Sequence, residues 1–97
     1  MVASNGQEAL EAMVISPCPL VILDVKMPGM SGMEALPHIV KRWPETRVII
    51  LSGHADMQLA VLAVSRGAFG YLTKPVDFDE LLFKMGDAVA DLRLTED

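Results

Sequence analysis

Three short apolar runs recur along the chain, and each is followed at once by a polar residue. They cover residues 20–23, 48–51 and 69–72, and the first two are uninterrupted and rich in β-branched side chains. Continuous runs of this length, bounded by turn signals, are typical of parallel strands that are buried on both faces. This feature constrains the fold more than any other, because it predicts three strands of one covered sheet.

The segments around these runs have helical spacing and recognisable ends. Three begin with a short polar residue that is followed three positions later by glutamate: Asn5 with Glu8, Ser31 with Glu34, and Asp77 with Glu80. A further helix, from Asp56 to Arg66, is stopped by Gly67. The predicted helices cover about residues 5–15, 31–43, 56–66 and 77–92. Pro37 lies inside the second one, and we expect it to bend the first turns.

The alternation of helices and strands predicts an α/β fold in which a parallel sheet lies between helical layers. A length of 97 residues allows one domain, and 52 % hydrophobic residues argue against disorder. No apolar stretch is long enough to cross a bilayer, and the N-terminus has no secretory signal pattern. With a single cysteine, the composition favours the cytoplasm. The net charge of −5 and the scattered basic residues argue against a nucleic-acid surface.

The residues at the strand ends carry the chemistry. Asp24 and Ser52 end the first two runs, and Lys74 follows Thr73 after the third. Adjacent strands lie about 4.8 Å apart, so the Ser52 hydroxyl is expected beside Asp24, and a lysine can reach across one further strand. A carboxylate nucleophile with a hydroxyl and an ammonium that neutralise phosphoryl oxygens is suited to accepting a phosphoryl group.

Three collinear stretches, VILDVKMPGMSGMEAL, VIILSGHAD and GAFGYLTKPVDFDELL, resemble bacterial response-regulator receiver domains over nearly the whole chain. The resemblance implies a flavodoxin-like, doubly wound parallel sheet with family strand order 2-1-3-4-5. It implies a two-component signalling protein that takes a phosphoryl group from a sensor histidine kinase and acts on a downstream effector domain or protein.

The same resemblance assigns roles to individual residues. Asp24 corresponds to the phosphoacceptor, Ser52 to the switch hydroxyl and Tyr71 to the switch aromatic residue. Lys74 corresponds to the lysine that contacts the phosphoryl group, and Lys74-Pro75 to the cis peptide of the family. Magnesium is the expected cofactor, with Asp24 and the backbone carbonyl of Lys26 among its ligands.

One departure from the family pattern concerns the N-terminus. Residues 1–4 look like the end of the second family strand, so the domain, residues 1–97, is expected to be incomplete, without the first strand, the first helix and the acid pair that holds magnesium. Magnesium prefers six oxygen ligands and should bind poorly without those acids. The missing strand should also leave one edge of strand 20–23 unpaired, which predicts a dimer or an element swap that covers it.

Two questions stay open at this point. The helix at 56–66 is apolar on nearly every face, which fits either a well-buried helix or an interaction surface. The chain as a whole fits a phospho-accepting switch with at most weak self-phosphorylation and dephosphorylation, so we do not expect an enzyme. The alternative is a pseudo-receiver that binds partners without accepting phosphate. An aspartate-nucleophile phosphatase ranks lower, because its second acid would be at position 26, which is lysine.

Overall fold

The described part of the chain forms eight alternating strands and helices. This computed structural model describes residues 1–3, 6–25, 31–53 and 57–96. The elements are β1 (Val2–Ala3), α1 (Gly6–Ile15), β2 (Leu20–Val25), α2 (Ser31–Arg42), β3 (Arg47–Ser52), α3 (Met57–Ser65), β4 (Gly70–Thr73) and α4 (Phe78–Glu96). The predicted strands and helices are confirmed within a few residues at their ends. The predicted cap Asn5 and the predicted helix start Asp56 lie outside the described residues, whereas Asp77 caps α4 by accepting the backbone N–H groups of Asp79 and Glu80.

The four strands form one parallel sheet in the order β1-β2-β3-β4. That order is the one the resemblance implies once the first family strand is left out. The apolar runs occupy the centre of the sheet: Val21 and Val48 are fully buried on one face, and on the other Ile49 is fully buried and Ile22 is 6 % exposed. Burial on both faces therefore explains why these runs are continuous and do not alternate with polar residues.

The prediction of an unpaired edge on strand 20–23 is wrong. Val2 and Ala3 pair with Ile22 and Leu23 in parallel register. The terminal ammonium of Met1 also donates to the Leu20 carbonyl over 2.8 Å, and the Ile22 N–H donates to the Met1 carbonyl over 2.7 Å. The physical reason is that unpaired N–H and C=O groups at a strand edge form hydrogen bonds with any extended backbone beside them. Residues 1–3 are extended there and pair with the edge of β2.

The two faces of the sheet are covered to different extents. The three crossovers through α1, α2 and α3 run in the same direction along the sheet, so right-handed connections place these helices on one face. The large core lies there and includes Met13, Met33, Leu36 and Ile39, all fully buried. On α4, among the side chains the structure describes, only Ala88 is buried. Several large apolar side chains of α4 are exposed, namely Phe78, Leu82, Phe83 and Val89.

The structure tests one of the two alternatives left open for α3, the well-buried helix, whereas its use as an interaction surface stays a prediction. Leu59 and Ala63 are buried, but the exposed fractions of Met57, Val61 and Val64 are 78 %, 61 % and 60 %. The interpretation as a well-buried helix is therefore wrong, and α3 presents an apolar face to solvent. Of the helices that the structure describes, none combines the length and the apolar character that a bilayer crossing needs.

Candidate functional site

The site lies at the carboxyl edge of the sheet, where the ends of β2, β3 and β4 meet. Asp24 is opposite Leu51 in the register, and Ser52 is paired with Val25 on one side and Thr73 on the other. Lys74 directly follows Thr73. The carboxyl ends of parallel strands are where such folds bind ligands, so the topology alone brings these polar residues to the expected place.

Lys74 and Asp24 are in direct contact. The Nζ atom of Lys74 donates to Oδ2 of Asp24 over 2.7 Å, although the two residues are 50 positions apart in the sequence. Because β3 lies between β2 and β4, the lysine side chain crosses one strand, as the sequence predicts. The Lys74 side chain is 40 % exposed and that of Asp24 is 23 % exposed, so the pair is open to solvent on one side.

A backbone hydrogen bond that the sequence does not reveal fixes the position of Lys74. Its N–H donates to the Ser52 carbonyl over 2.7 Å, which extends the β3–β4 ladder by one step beyond the last paired residues. The peptide bond that follows, Lys74-Pro75, is cis, as the family resemblance implies. The lysine is thus held at its backbone by the central strand and at its ammonium by Asp24.

The second oxygen of Asp24 distinguishes this carboxylate from an ordinary ion pair. Oδ1 is buried and has no hydrogen-bond partner in the part of the chain that the structure describes. A buried acceptor without a partner costs about 1–3 kcal/mol, and most such atoms in native proteins have one. An oxygen that is desolvated and not committed to a donor is able to act as a nucleophile or as a cation ligand.

Ser52 and Tyr71, the two predicted switch residues, differ in how deeply they are buried. Ser52 is fully buried, and its register partner on β2 is Val25, one residue beyond Asp24. The structure therefore places the serine at the correct edge but one step further along it than directly opposite the carboxylate. Tyr71 is half-buried and packs against the core three residues before Lys74. The switch roles of Ser52 and Tyr71 stay predictions.

The described residues do not make up a magnesium site by themselves. Oδ1 of Asp24 fits one ligand position because it is an uncommitted carboxylate oxygen. Lys26, whose carbonyl is the other predicted ligand, lies outside the described residues, and no group of three His, Cys, Asp or Glu side chains able to hold a metal occurs among those described. Magnesium prefers six oxygen ligands, so Asp24 alone is insufficient.

Sequence comparison identifies the family. The sequence model of the family described as "Response regulator receiver domain" matches residues 1–85. The chain belongs to this family. It is 41 % identical over 86 residues to the DNA-binding transcriptional regulator NtrC of Escherichia coli K12, which covers 89 % of this chain and 18 % of that protein. It is 38 % identical over 94 residues to the transcriptional regulatory protein ZraR of Klebsiella oxytoca, covering 97 % and 21 %.

Solved receiver structures have the same architecture. A receiver domain protein from Clostridium thermocellum has a TM-score of 0.80 at 39 % identity, and the match covers 94 % of this chain and 74 % of that one. The beryllofluoride-activated NtrC4 receiver domain dimer has a TM-score of 0.79 at 29 % identity, covering 89 % and 71 %. The receiver chain thus spans about a fifth of the curated regulators NtrC and ZraR, but most of the length of isolated receiver domains.

Proposed function

We propose that this receiver domain accepts a phosphoryl group from a sensor histidine kinase on Asp24 and passes the signal to a downstream effector domain or protein. The observation that carries the proposal is the state of the Asp24 carboxylate. One oxygen is held by the Lys74 ammonium, and the other is buried without a partner among the described residues. This arrangement resembles a prepared acceptor more than a structural ion pair, in which both oxygens would be satisfied.

The proposed step is a transfer between two nucleophiles. A carboxylate oxygen of Asp24 attacks the phosphorus, the P–N bond of the kinase phosphohistidine breaks, and a P–O bond forms to give an aspartyl phosphate. The electron pair of the broken bond returns to the kinase imidazole, which takes up a proton. Lys74 already lies within hydrogen-bonding distance of the carboxylate and neutralises charge on the transferred group.

The new group changes the charge balance at the sheet edge. The phosphoryl group carries about −1.5 to −2 charge beside Lys74, and because it replaces the −1 of the carboxylate the net change is about −0.5 to −1. We propose that Ser52 and Tyr71 respond and shift the population of two packings around α3, whose exposed apolar face contacts a partner or a second receiver. The beryllofluoride-activated NtrC4 receiver domain dimer supports a second receiver as one such partner. We further propose a cytoplasmic location and no enzymatic role beyond weak self-phosphorylation and dephosphorylation.

Magnesium is proposed as the cofactor of this step. It would supply positive charge to the phosphoryl oxygens, with Asp24 and the Lys26 carbonyl as ligands. The described residues show only the Asp24 oxygen as a fitting ligand.

The direct test is labelling with radioactive acetyl phosphate in the presence of magnesium. Wild type and Asp87→Asn, a matched control on the exposed side of α4, should take up label to the same extent. Asp24→Asn should take up none above background, because the amide is not a nucleophile. Equal label in wild type and Asp24→Asn would overturn the proposal.

The pseudo-receiver is the second candidate, and the absence of a three-residue acidic or metal-binding group among the described residues favours it. Thermal unfolding with and without magnesium and beryllofluoride separates the two candidates, because a ligand that binds the folded state raises the melting temperature. A competent receiver should be stabilised by the combination and should be labelled on Asp24. A pseudo-receiver should show neither effect.

A further inference from the structure

One hydrogen bond joins the residue that follows α3 to the backbone of α2. The Nη1 atom of Arg66 donates to the backbone carbonyl of Met33 over 3.0 Å, and the contact is partly buried. Met33 is in the first turn of α2, whereas Arg66 directly follows Ser65, the last residue of α3. The bond therefore connects the beginning of one helix with the end of the next.

Pro37 explains why the Met33 carbonyl is available. In an α-helix the carbonyl of residue 33 accepts the N–H of residue 37, but Pro37 has no N–H. The proline thus removes the usual donor for this carbonyl, and the Arg66 guanidinium supplies a donor from another helix. A charged donor makes the stronger kind of hydrogen bond.

A second contact on the same side of α2 holds the end of α3. Gly67 has a φ of 101°, and a Cβ atom built on it would lie 2.9 Å from a methyl carbon of Val40. The N–H groups of Gly67 and Ala68 close the helix end by donating to the Val64 and Ala63 carbonyls. Residues 33, 37 and 40 are spaced by four and three, so they share one face of α2.

We infer that the Arg66 side chain and the Met33 carbonyl, which Pro37 leaves without its helical donor, form an interhelical latch. Because of this latch, the C-terminal end of α3 and the first turn of α2 open together. The latch joins the segment that follows Asp24 in the sequence to the segment that precedes Tyr71 and Lys74. The latch does not depend on phosphorylation, because it couples two helices of the unmodified protein.

Hydrogen exchange in the folded protein tests the latch. Arg66→Met keeps the side-chain stem but removes the donors. It should speed exchange about tenfold at the amides of residues 67 and 68 and also at residues 35 and 36, which carry no substitution. Arg66→Lys retains one cationic donor and should restore part of the protection. Arg42→Met is the matched control, since that guanidinium lies on α2 over the Trp43 ring, and it should change exchange at these sites by no more than about twofold.

The second half of the test uses Pro37→Ala, which returns an N–H to α2 opposite the Met33 carbonyl. In that background Arg66→Met should speed exchange by less than about threefold, because the carbonyl keeps a donor. Equal effects of Arg66→Met in both backgrounds, or an effect confined to residues 67 and 68, would overturn the latch. Acetyl phosphate labelling of the same variants keeps the two proposals separate, since unchanged exchange at residues 35 and 36 in Arg66→Met with normal label contradicts only the latch.

Discussion

Two ion pairs at opposite ends of the sheet differ in how completely their charges are satisfied. At the carboxyl edge, Lys74 holds one oxygen of Asp24 and leaves Oδ1 buried without a described partner. At the amino edge, Arg47 donates from Nε to Asp91 of α4 and from Nη1 to the carbonyls of Pro44 and Glu45. The Arg47 side chain is 15 % exposed, against 40 % for Lys74.

The difference fits a structural role at the amino edge and the proposed acceptor role at the carboxyl edge. At the amino edge the buried Thr46 hydroxyl donates to the Cys18 carbonyl over 2.9 Å, and the Arg47 N–H donates to the Pro19 carbonyl over 2.9 Å. These two bonds join the start of β3 to the start of β2, and the Arg47–Asp91 pair joins it to α4. Arg47 is therefore hydrogen-bonded through both its backbone and its side chain. At the carboxyl edge, Oδ2 of Asp24 accepts a hydrogen bond from Lys74, whereas Oδ1 has no partner among the described residues. This is the state expected of the proposed phosphoacceptor.

The largest expected effect is on Lys74. Lys74→Met should reduce acetyl phosphate labelling of Asp24 by about 100-fold, because a positioned donor to developing charge contributes that much to a transfer step. Its free energy of unfolding should change by less than about 1 kcal/mol, since the pair is partly exposed.

Lys84→Met is the control for that experiment. Lys84 is a half-buried lysine on α4 whose stem lies over Gly70, away from Asp24. Labelling rates within about twofold of each other in the Lys74 and Lys84 variants would remove the distinction between the two ends of the sheet.

Arg47 should give the opposite pattern. Arg47→Met should lower the free energy of unfolding by about 2 kcal/mol in urea titrations, because it removes a charged donor to Asp91 and to two loop carbonyls. Labelling of Asp24 in the folded variant should be unchanged. Arg47→Lys should be intermediate, since an ammonium cannot reproduce the fork of the guanidinium. Reduced labelling without a loss of stability would contradict the structural role.

The smallest effect is expected at the two edge threonines. Thr46→Val should lower the free energy of unfolding by about 1 kcal/mol, because the partly buried hydrogen bond from the buried threonine to the Cys18 carbonyl is lost. Thr73→Val, at the exposed carboxyl end of β4, should change it by less than about 0.5 kcal/mol. Equal losses in thermal unfolding would show that the two edges are equally dependent on their hydroxyls.

Much of the fold and the main contact of the site follow from the sequence alone. The apolar runs, the Asp77 cap and the alternation of elements predict a parallel sheet, and a parallel sheet brings Asp24 and Lys74 to one edge. These inferences depend on residues that are close in the sequence or on one topological rule, so the amino-acid pattern carries them directly.

Other features were decided only by the tertiary structure. The pairing of β1 with β2 and the bonds of Arg47 to Asp91 and Arg66 to Met33 join residues about 20 to 44 positions apart. The exposed face of α3 also belongs here, since an all-apolar helix does not indicate which side meets the core. Such contacts depend on how whole elements pack, because each forms only after the chain between its partners has been ordered. The sequence by itself therefore determined the elements and the edge of the sheet on which the site lies. Packing determined which polar groups at that edge are hydrogen-bonded and that Oδ1 of Asp24 has no partner among the described residues.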